Sequence, residues 1–123
     1  MAMLESGEMY LETILILTNQ QNAVRSIDIA EYMNYSKPSV SRAVNMLKNE
    51  GYILIDERGN IALTKNGRET AEKIYERHTV LSKMFESLGV DHETAVDDAC
   101  KIEHVISDKT FDAVKKHLEE YGK

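Results

Sequence analysis

"SKPSVSRAVNMLKNEGYILIDERGNIALT", residues 36–64, is the stretch whose reading decides the fold. Ser36 stands where it can cap a helix, and Pro38 falls in the first helical turn, where a missing backbone N–H costs nothing. Val40, Ala43, Val44 and Leu47 recur at the spacing of one buried helix face. Gly51 sits where glycine commonly ends a helix. Directly after it, Tyr52 and Leu54, then Ile61 and Leu63, lie on two short β-rich runs, with Arg58-Gly59-Asn60 as the turn between them. A polar-faced helix followed at once by a small hairpin predicts a recognition helix and the wing of a winged helix.

The upstream segment supplies the partner helix. "SIDIAEYM" (26–33) carries Ile27, Ile29, Ala30 and Met33, with Ser26 as its expected cap, and "NYS" makes a tight turn into Ser36. Two short helices joined by a brief turn form a helix-turn-helix. Residues 8–19, "EMYLETILILTN", predict a helix with Met9, Leu11, Ile14, Leu15 and Leu17 inward. Downstream, 64–89 reads as one long helix capped by Thr64, with Ala71, Ile74, Tyr75, His78, Leu81 and Phe85 as its stripe. Two more helices follow at 91–107, capped by Asp91, and 107–122, capped by Ser107 or Asp108. The expected fold class is mainly α: a winged helix-turn-helix DNA-binding domain over 1–73, then a helical dimerisation domain over 74–123. Helices left over after the winged helix need somewhere to bury their stripes, and a second copy is the usual place.

Bulk properties bound the function. A hydrophobic share of 42% and a charged share of 29% suit a soluble globular protein. No apolar run approaches membrane-spanning length, and the N-terminus has no basic flank leading into a long apolar stretch. One cysteine excludes an intramolecular disulfide and fits a reducing cytoplasm. The net charge of −6 disfavours nucleic acid at first sight, but residues 20–77 hold nine Lys/Arg against eight Asp/Glu, so the acidity lies in the flanks. Docked in a major groove, the second helix would present Ser36, Lys37, Pro38, Ser39, Ser41 and Arg42 from its N-terminal half. Arg58 at the wing tip would reach the DNA backbone or the minor groove, and Lys48 and Lys65 the phosphates. The plainer reading of the same residues is a solvated helical face, or a winged helix that binds protein.

"DDACKIEHVI" (97–106) raises a second question. Read as helix, it puts Cys100, Glu103 and His104 at i, i+3 and i+4, on one face. Singly, the candidates have bland explanations: Cys100 as a small buried hydrophobe, Met9 as core, His78 on the long helix as a hydrogen-bonded core histidine, and Glu12, three residues after Met9 on the first helix, as a solvated face. Together they place soft or charged ligands on three helices whose apolar faces should meet. A buried Glu and Cys are costly alone, and a divalent cation satisfies both.

Five fragments carry a family resemblance: "EMYLETI" (8–14), "SKPSVSRAVNML" (36–47), "LTKNGRETA" (63–71), "IYERH" (74–78) and "DDACKIEHVISD" (97–108). They resemble the iron- and manganese-dependent repressors related to the diphtheria toxin repressor and the manganese transport regulator. The resemblance implies that Met9, Cys100, Glu103 and His104 are ligands of an iron-type activating site, and that Glu12 and His78 match further ligands of a manganese-type binuclear site. Met9 and Cys100 stand where the manganese-type pattern has carboxylates. Ser82 and Val96 stand where the ancillary site of the iron-type repressors has a carboxylate and a histidine, which puts that site in doubt here. Thiolate and thioether ligands favour Fe(II) as effector, with Mn(II) second and Co(II), Ni(II) or Zn(II) accepted in vitro. The resemblance further implies a metal-activated homodimeric repressor of metal-homeostasis genes, bound to a double-stranded operator. The chain ends after the dimerisation helices and so looks like the short form without the SH3-like domain. From the residues alone, two other classes fit: a metal-independent winged-helix regulator with Cys100 as core or redox sensor, and a small metalloenzyme. No nucleophile–base pair or phosphate loop speaks for the enzyme.

Overall fold

The computed structural model describes residues 5–121. In chain order these form α1 (Glu5–Gln20), α2 (Ser26–Met33), α3 (Lys37–Asn49), β1 (Ile53–Ile55), β2 (Ile61–Leu63), α4 (Lys65–Ser87), α5 (His92–Ile102) and α6 (Asp108–Tyr121). The chain divides into two compact units, Met1–Glu72 and Lys73–Lys123, the boundary falling within α4.

The first unit is a winged helix. Leu11 and Ile14 of α1, Ile29 of α2, and Val40 and Leu47 of α3 are fully buried, and Ile53 of β1 is 1% exposed. Each such side chain stabilises the unit by about 1.5–3 kcal/mol relative to exposure. On α1 the aromatic ring of Tyr10 takes an inward place, while Met9 is only half-buried. Ser36 caps α3 as expected, its Oγ accepting from the Ser39 N–H at 3.3 Å. Ser26 does not cap α2. It is the first helical residue, and the cap position is Arg25, whose backbone N–H donates to the Asp28 carboxylate at 2.9 Å. The Asp28 side chain therefore does from within the helix what Ser26 was expected to do from outside it.

The wing is an antiparallel pair with Ile53 opposite Leu63, Leu54 opposite Ala62 and Ile55 opposite Ile61. Ile53 and Ile61 face the core, whereas Leu54 is 64% exposed on the other face. The outer side of β2 is covered in part by the segment before α2, since the Ile61 N–H donates to the Val24 carbonyl at 2.7 Å. Its base closes on Thr64, whose N–H donates to the Tyr52 carbonyl at 3.1 Å. The Thr64 Oγ1 donates to the Gly51 carbonyl at 2.7 Å and accepts the Gly67 N–H at 3.0 Å, so one hydroxyl closes the hairpin and caps α4. Glycine is obligatory at 67: a Cβ there would lie 1.9 Å from the Tyr52 carbonyl oxygen.

In the second unit, Ile74, Leu81, Ala95, Ala99 and Phe111 are the buried apolar side chains, joined by the buried polar residues Arg77, Ser82 and Glu103. Asp91 caps α5 through the Thr94 N–H at 3.0 Å, and Ser107 caps α6 through the Thr110 N–H at 3.1 Å. Large apolar surface stays exposed on Tyr75, Leu88, Val105 and Tyr121. The expected helix over 91–107 is overturned in part. α5 ends at Ile102, with Glu103 as its cap residue, and His104 and Val105 lie in the turn that leads to α6. Glu103 and His104 are thus presented from a turn, while Cys100 remains on the last turn of the helix.

Candidate metal centre and nucleic-acid interface

In the second unit, Glu103 lies beside two other expected ligands, His78 and His104. Glu103 is fully buried, and its carboxylate lies between two imidazoles: Oε2 is 2.8 Å from Nδ1 of His78, and Oε1 is 3.2 Å from Nε2 of His104. The His104 side chain is itself fully buried, and that of His78 is 25% exposed. α4 supplies His78, and the turn after α5 supplies Glu103 and His104. Cys100, half-buried, stands three residues before Glu103 on α5. A carboxylate and two imidazoles, with a thiol three residues earlier on α5, are donor types that suit a divalent transition metal, softer than an all-oxygen set. The residues present therefore fit the metal that their pattern implies.

Met9 and Glu12 belong to the first unit, three residues apart on α1 and both half-buried. The Thr13 hydroxyl donates back to the Met9 carbonyl at 3.0 Å, fixing that turn of the helix. Ser82 is buried with its Oγ donating to the His78 carbonyl at 2.8 Å, so it steadies the histidine through the backbone and offers no carboxylate.

Arg77 went unrecognised in the sequence. Among the described residues it is the one buried Lys or Arg side chain. Its Nη1 donates to the carbonyls of Glu103 at 3.1 Å and Ile106 at 2.8 Å, and its Nη2 donates to the Asp108 carboxylate. The guanidinium carbon stands 5.6 Å over the Phe111 ring. Lys73, 3.0 Å away, and then Arg77 hold the Asp108 carboxyl below the usual carboxylate range. The signal for Arg77 was its place next to His78, but its acceptors lie 26 to 31 residues away, beyond any local pattern.

On the first unit, Ser36, Lys37, Pro38, Ser41 and Arg42 are exposed at the start of α3, with Ser39 half-buried. Ser36 Oγ donates to Ser39 Oγ at 2.9 Å, and Arg42 reaches Ser39 Oγ at 3.5 Å, so this face is ordered along one chain of polar groups. At the wing tip, Asp56 accepts from the backbone N–H groups of Arg58 and Asn60, each at 2.9 Å. The Asn60 backbone bond is the main cause of a lowered Asp56 pKa. Arg25 went unnoticed here as well: its Nη2 donates to the Arg58 carbonyl, tying the wing tip to the start of α2.

Comparison with known proteins completes the assignment. Residues 2–60 match the profile described as "Iron dependent repressor, N-terminal DNA binding domain", and residues 64–122 match "Iron dependent repressor, metal binding and dimerisation domain". A curated relative, an uncharacterized HTH-type transcriptional regulator of Methanocaldococcus jannaschii, is 32% identical over 121 residues, 97% of each chain. The chain belongs to the iron-dependent repressor family. The HTH-type transcriptional regulator MntR of Lysinibacillus sphaericus is 29% identical over 89% of this chain and 78% of its own length. Among solved structures, the manganese regulator SloR superposes with a TM-score of 0.81 at 29% identity, and the metal-dependent transcriptional regulator MtsR with 0.83 at 27%. Each match covers 92% of this chain, which spans about half of the solved chains at 53% of each. As an iron-dependent repressor family member, the chain is a metal-dependent transcriptional regulator with a divalent metal site, a DNA-binding domain and a dimerisation domain, and it is not an enzyme. No described helix is long and apolar enough to cross a membrane.

Proposed function

We propose that this regulator is a cytoplasmic homodimeric repressor activated by Fe(II), with Mn(II) as the second-ranked effector, acting on a double-stranded operator that controls metal-homeostasis genes. The observation that carries the reading is the fully buried Glu103 carboxylate held between His78 and His104. Cys100, Glu103 and His104 would hold the metal in residues 74–123, and His78 would join them. Met9 and Glu12 are further ligand candidates that the family pattern suggests. Bound there, a divalent ion supplies positive charge that offsets the ligand carboxylates. The thioether of Met9 and the thiol of Cys100 favour Fe(II) over Mn(II), which prefers oxygen.

The chain's own residues would then do the reading. Ser36, Lys37, Pro38, Ser39, Ser41 and Arg42 enter the major groove at the start of α3, and Arg58 meets the backbone at the wing tip. Two copies in a dimer place their α3 helices on half-sites roughly one helical turn, or a multiple of it, apart. The energetic coupling between metal and DNA need be only about 1–3 kcal/mol per site.

The test is an anaerobic titration of metal-free protein with Fe(II) and with Mn(II), following a fluorescent DNA pool enriched for its sites. Binding that appears only with metal, and at lower free Fe(II) than Mn(II), is the expected result. Equal DNA affinity with and without metal refutes the reading.

A further inference from the structure

Adjacent residues of α4 grip the same residue of the ligand turn: Arg77 holds the Glu103 carbonyl, and His78 holds its carboxylate. The Arg77 fork also takes the Ile106 carbonyl and the Asp108 carboxylate, so its acceptors bracket His104 from both sides. These carbonyls belong to the end of α5 and the turn beyond it, where a helix leaves its last carbonyl groups without internal donors. A buried guanidinium is costly unless its donors are used; here Nη1 and Nη2 find three acceptors beside an aromatic face, while the buried Nε has no hydrogen-bond partner among the described residues. Lysine could not replace it, because an ammonium lacks the planar fork that reaches two carbonyls and a carboxylate at once.

We infer that Arg77 is a positioning residue for the metal ligands: it holds the 103–106 turn in place before metal arrives, so that Glu103 and His104 are presented ready to coordinate. The inference rests on the metal site proposed above. Arg77 touches no metal; it acts through the backbone of the ligand residues. Removing a partner that orients a ligand typically weakens metal binding about 10–100-fold.

The experiment compares wild type with Arg77→Gln, Arg77→Lys and Glu103→Gln in the full chain. Two readouts are taken: amide hydrogen exchange of residues 103–106 in metal-free protein, and anaerobic Co(II) titration followed by absorption. Arg77→Gln should exchange those amides at least about tenfold faster and weaken Co(II) about 10–100-fold, with the thiolate-to-cobalt band altered. Arg77→Lys should fail to rescue either readout. Wild-type exchange, wild-type cobalt affinity, or rescue by lysine overturns the inference. Should Arg77→Gln not fold, Asp108→Ala, at a side chain 67% exposed, takes away the acceptor of one arm of the fork. It should weaken Co(II) several-fold, and no change overturns the inference. If Glu103→Gln binds Co(II) like wild type, the metal-site reading itself falls, and with it the role given to Arg77.

Discussion

Replacing Gly67 with alanine tests the joint between wing and α4 on which the DNA-binding unit depends. The added Cβ would lie 1.9 Å from the Tyr52 carbonyl oxygen and 2.9 Å from its carbon, both backbone atoms that no rotamer change can move away. An ordinary carbon–oxygen contact is about 3.3 Å, so the first turn of α4 must retreat by roughly 1.4 Å. Such a retreat takes the Thr64 N–H bond to Tyr52, now 3.1 Å, and the Thr64 hydroxyl bond to Gly51, now 2.7 Å, beyond bonding range. Two bonds and a helix cap at about 1 kcal/mol each give roughly 3 kcal/mol. Alanine's better helix propensity returns up to about 1 kcal/mol, leaving a net loss of roughly 2–3 kcal/mol. Gly51→Ala is the control. Gly51 has φ +85° and nothing within 4 Å of an added Cβ, so only left-handed backbone strain of about 1 kcal/mol applies. In urea, with a slope of about 1.5 kcal/mol per M, Gly67→Ala should lower the midpoint by roughly 1.3–2 M and Gly51→Ala by about 0.7 M. A Gly67→Ala midpoint no lower than that of Gly51→Ala would refute the steric argument.

Three further outcomes are expected. Arg25→Ala frees the wing tip from α2, so operator affinity should fall several-fold in fluorescence anisotropy with an unchanged salt slope; a slope smaller by about 1 would mean that Arg25 neutralises a phosphate instead. Asp56 has a folded pKa below its unfolded value, chiefly through the Asn60 backbone N–H. Its stabilising effect is therefore present above the unfolded pKa of about 3.9 and is lost as pH falls through the folded one. Acid unfolding of Asp56→Asn should accordingly show a shallower pH dependence below about pH 4, and a profile parallel to wild type would contradict this. Glu103→Gln keeps the shape of the buried side chain but removes its charge, so isothermal titration should find metal affinity reduced by at least about 100-fold, and retained affinity would exclude Glu103 as a ligand.

Much of the architecture was legible because its signals are local. Ser36, Thr64, Asp91 and Ser107 each bond a backbone N–H three residues on, a spacing visible in the sequence. The buried faces of α1 and α3 follow helical periodicity, and Gly59 turns the wing with φ +83°. Of the residues singled out for their chemistry, Glu103 lies 2.8 Å from His78 and 3.2 Å from His104. What was not legible depends on contacts distant in sequence. Arg25 reaches Arg58 across 33 residues and Arg77 reaches Ile106 across 29, with no period linking either pair. The end of α5 was missed for the same reason. Helical spacing continues past Ile102 in the sequence, whereas in the fold the carbonyls of Glu103 and Ile106 are taken by Arg77.

The short wing also bears on how the protein behaves when concentrated. A two-stranded ribbon has two outer edges, each a row of backbone groups able to recruit a strand from another molecule. Here β2 gives its Ile61 N–H to Val24, and β1 is three residues long, from Ile53 to Ile55. That leaves too brief a template for a foreign strand to register against, even with Leu54 exposed on the ribbon face. The wing can thus project toward a ligand without becoming a seed for aggregation.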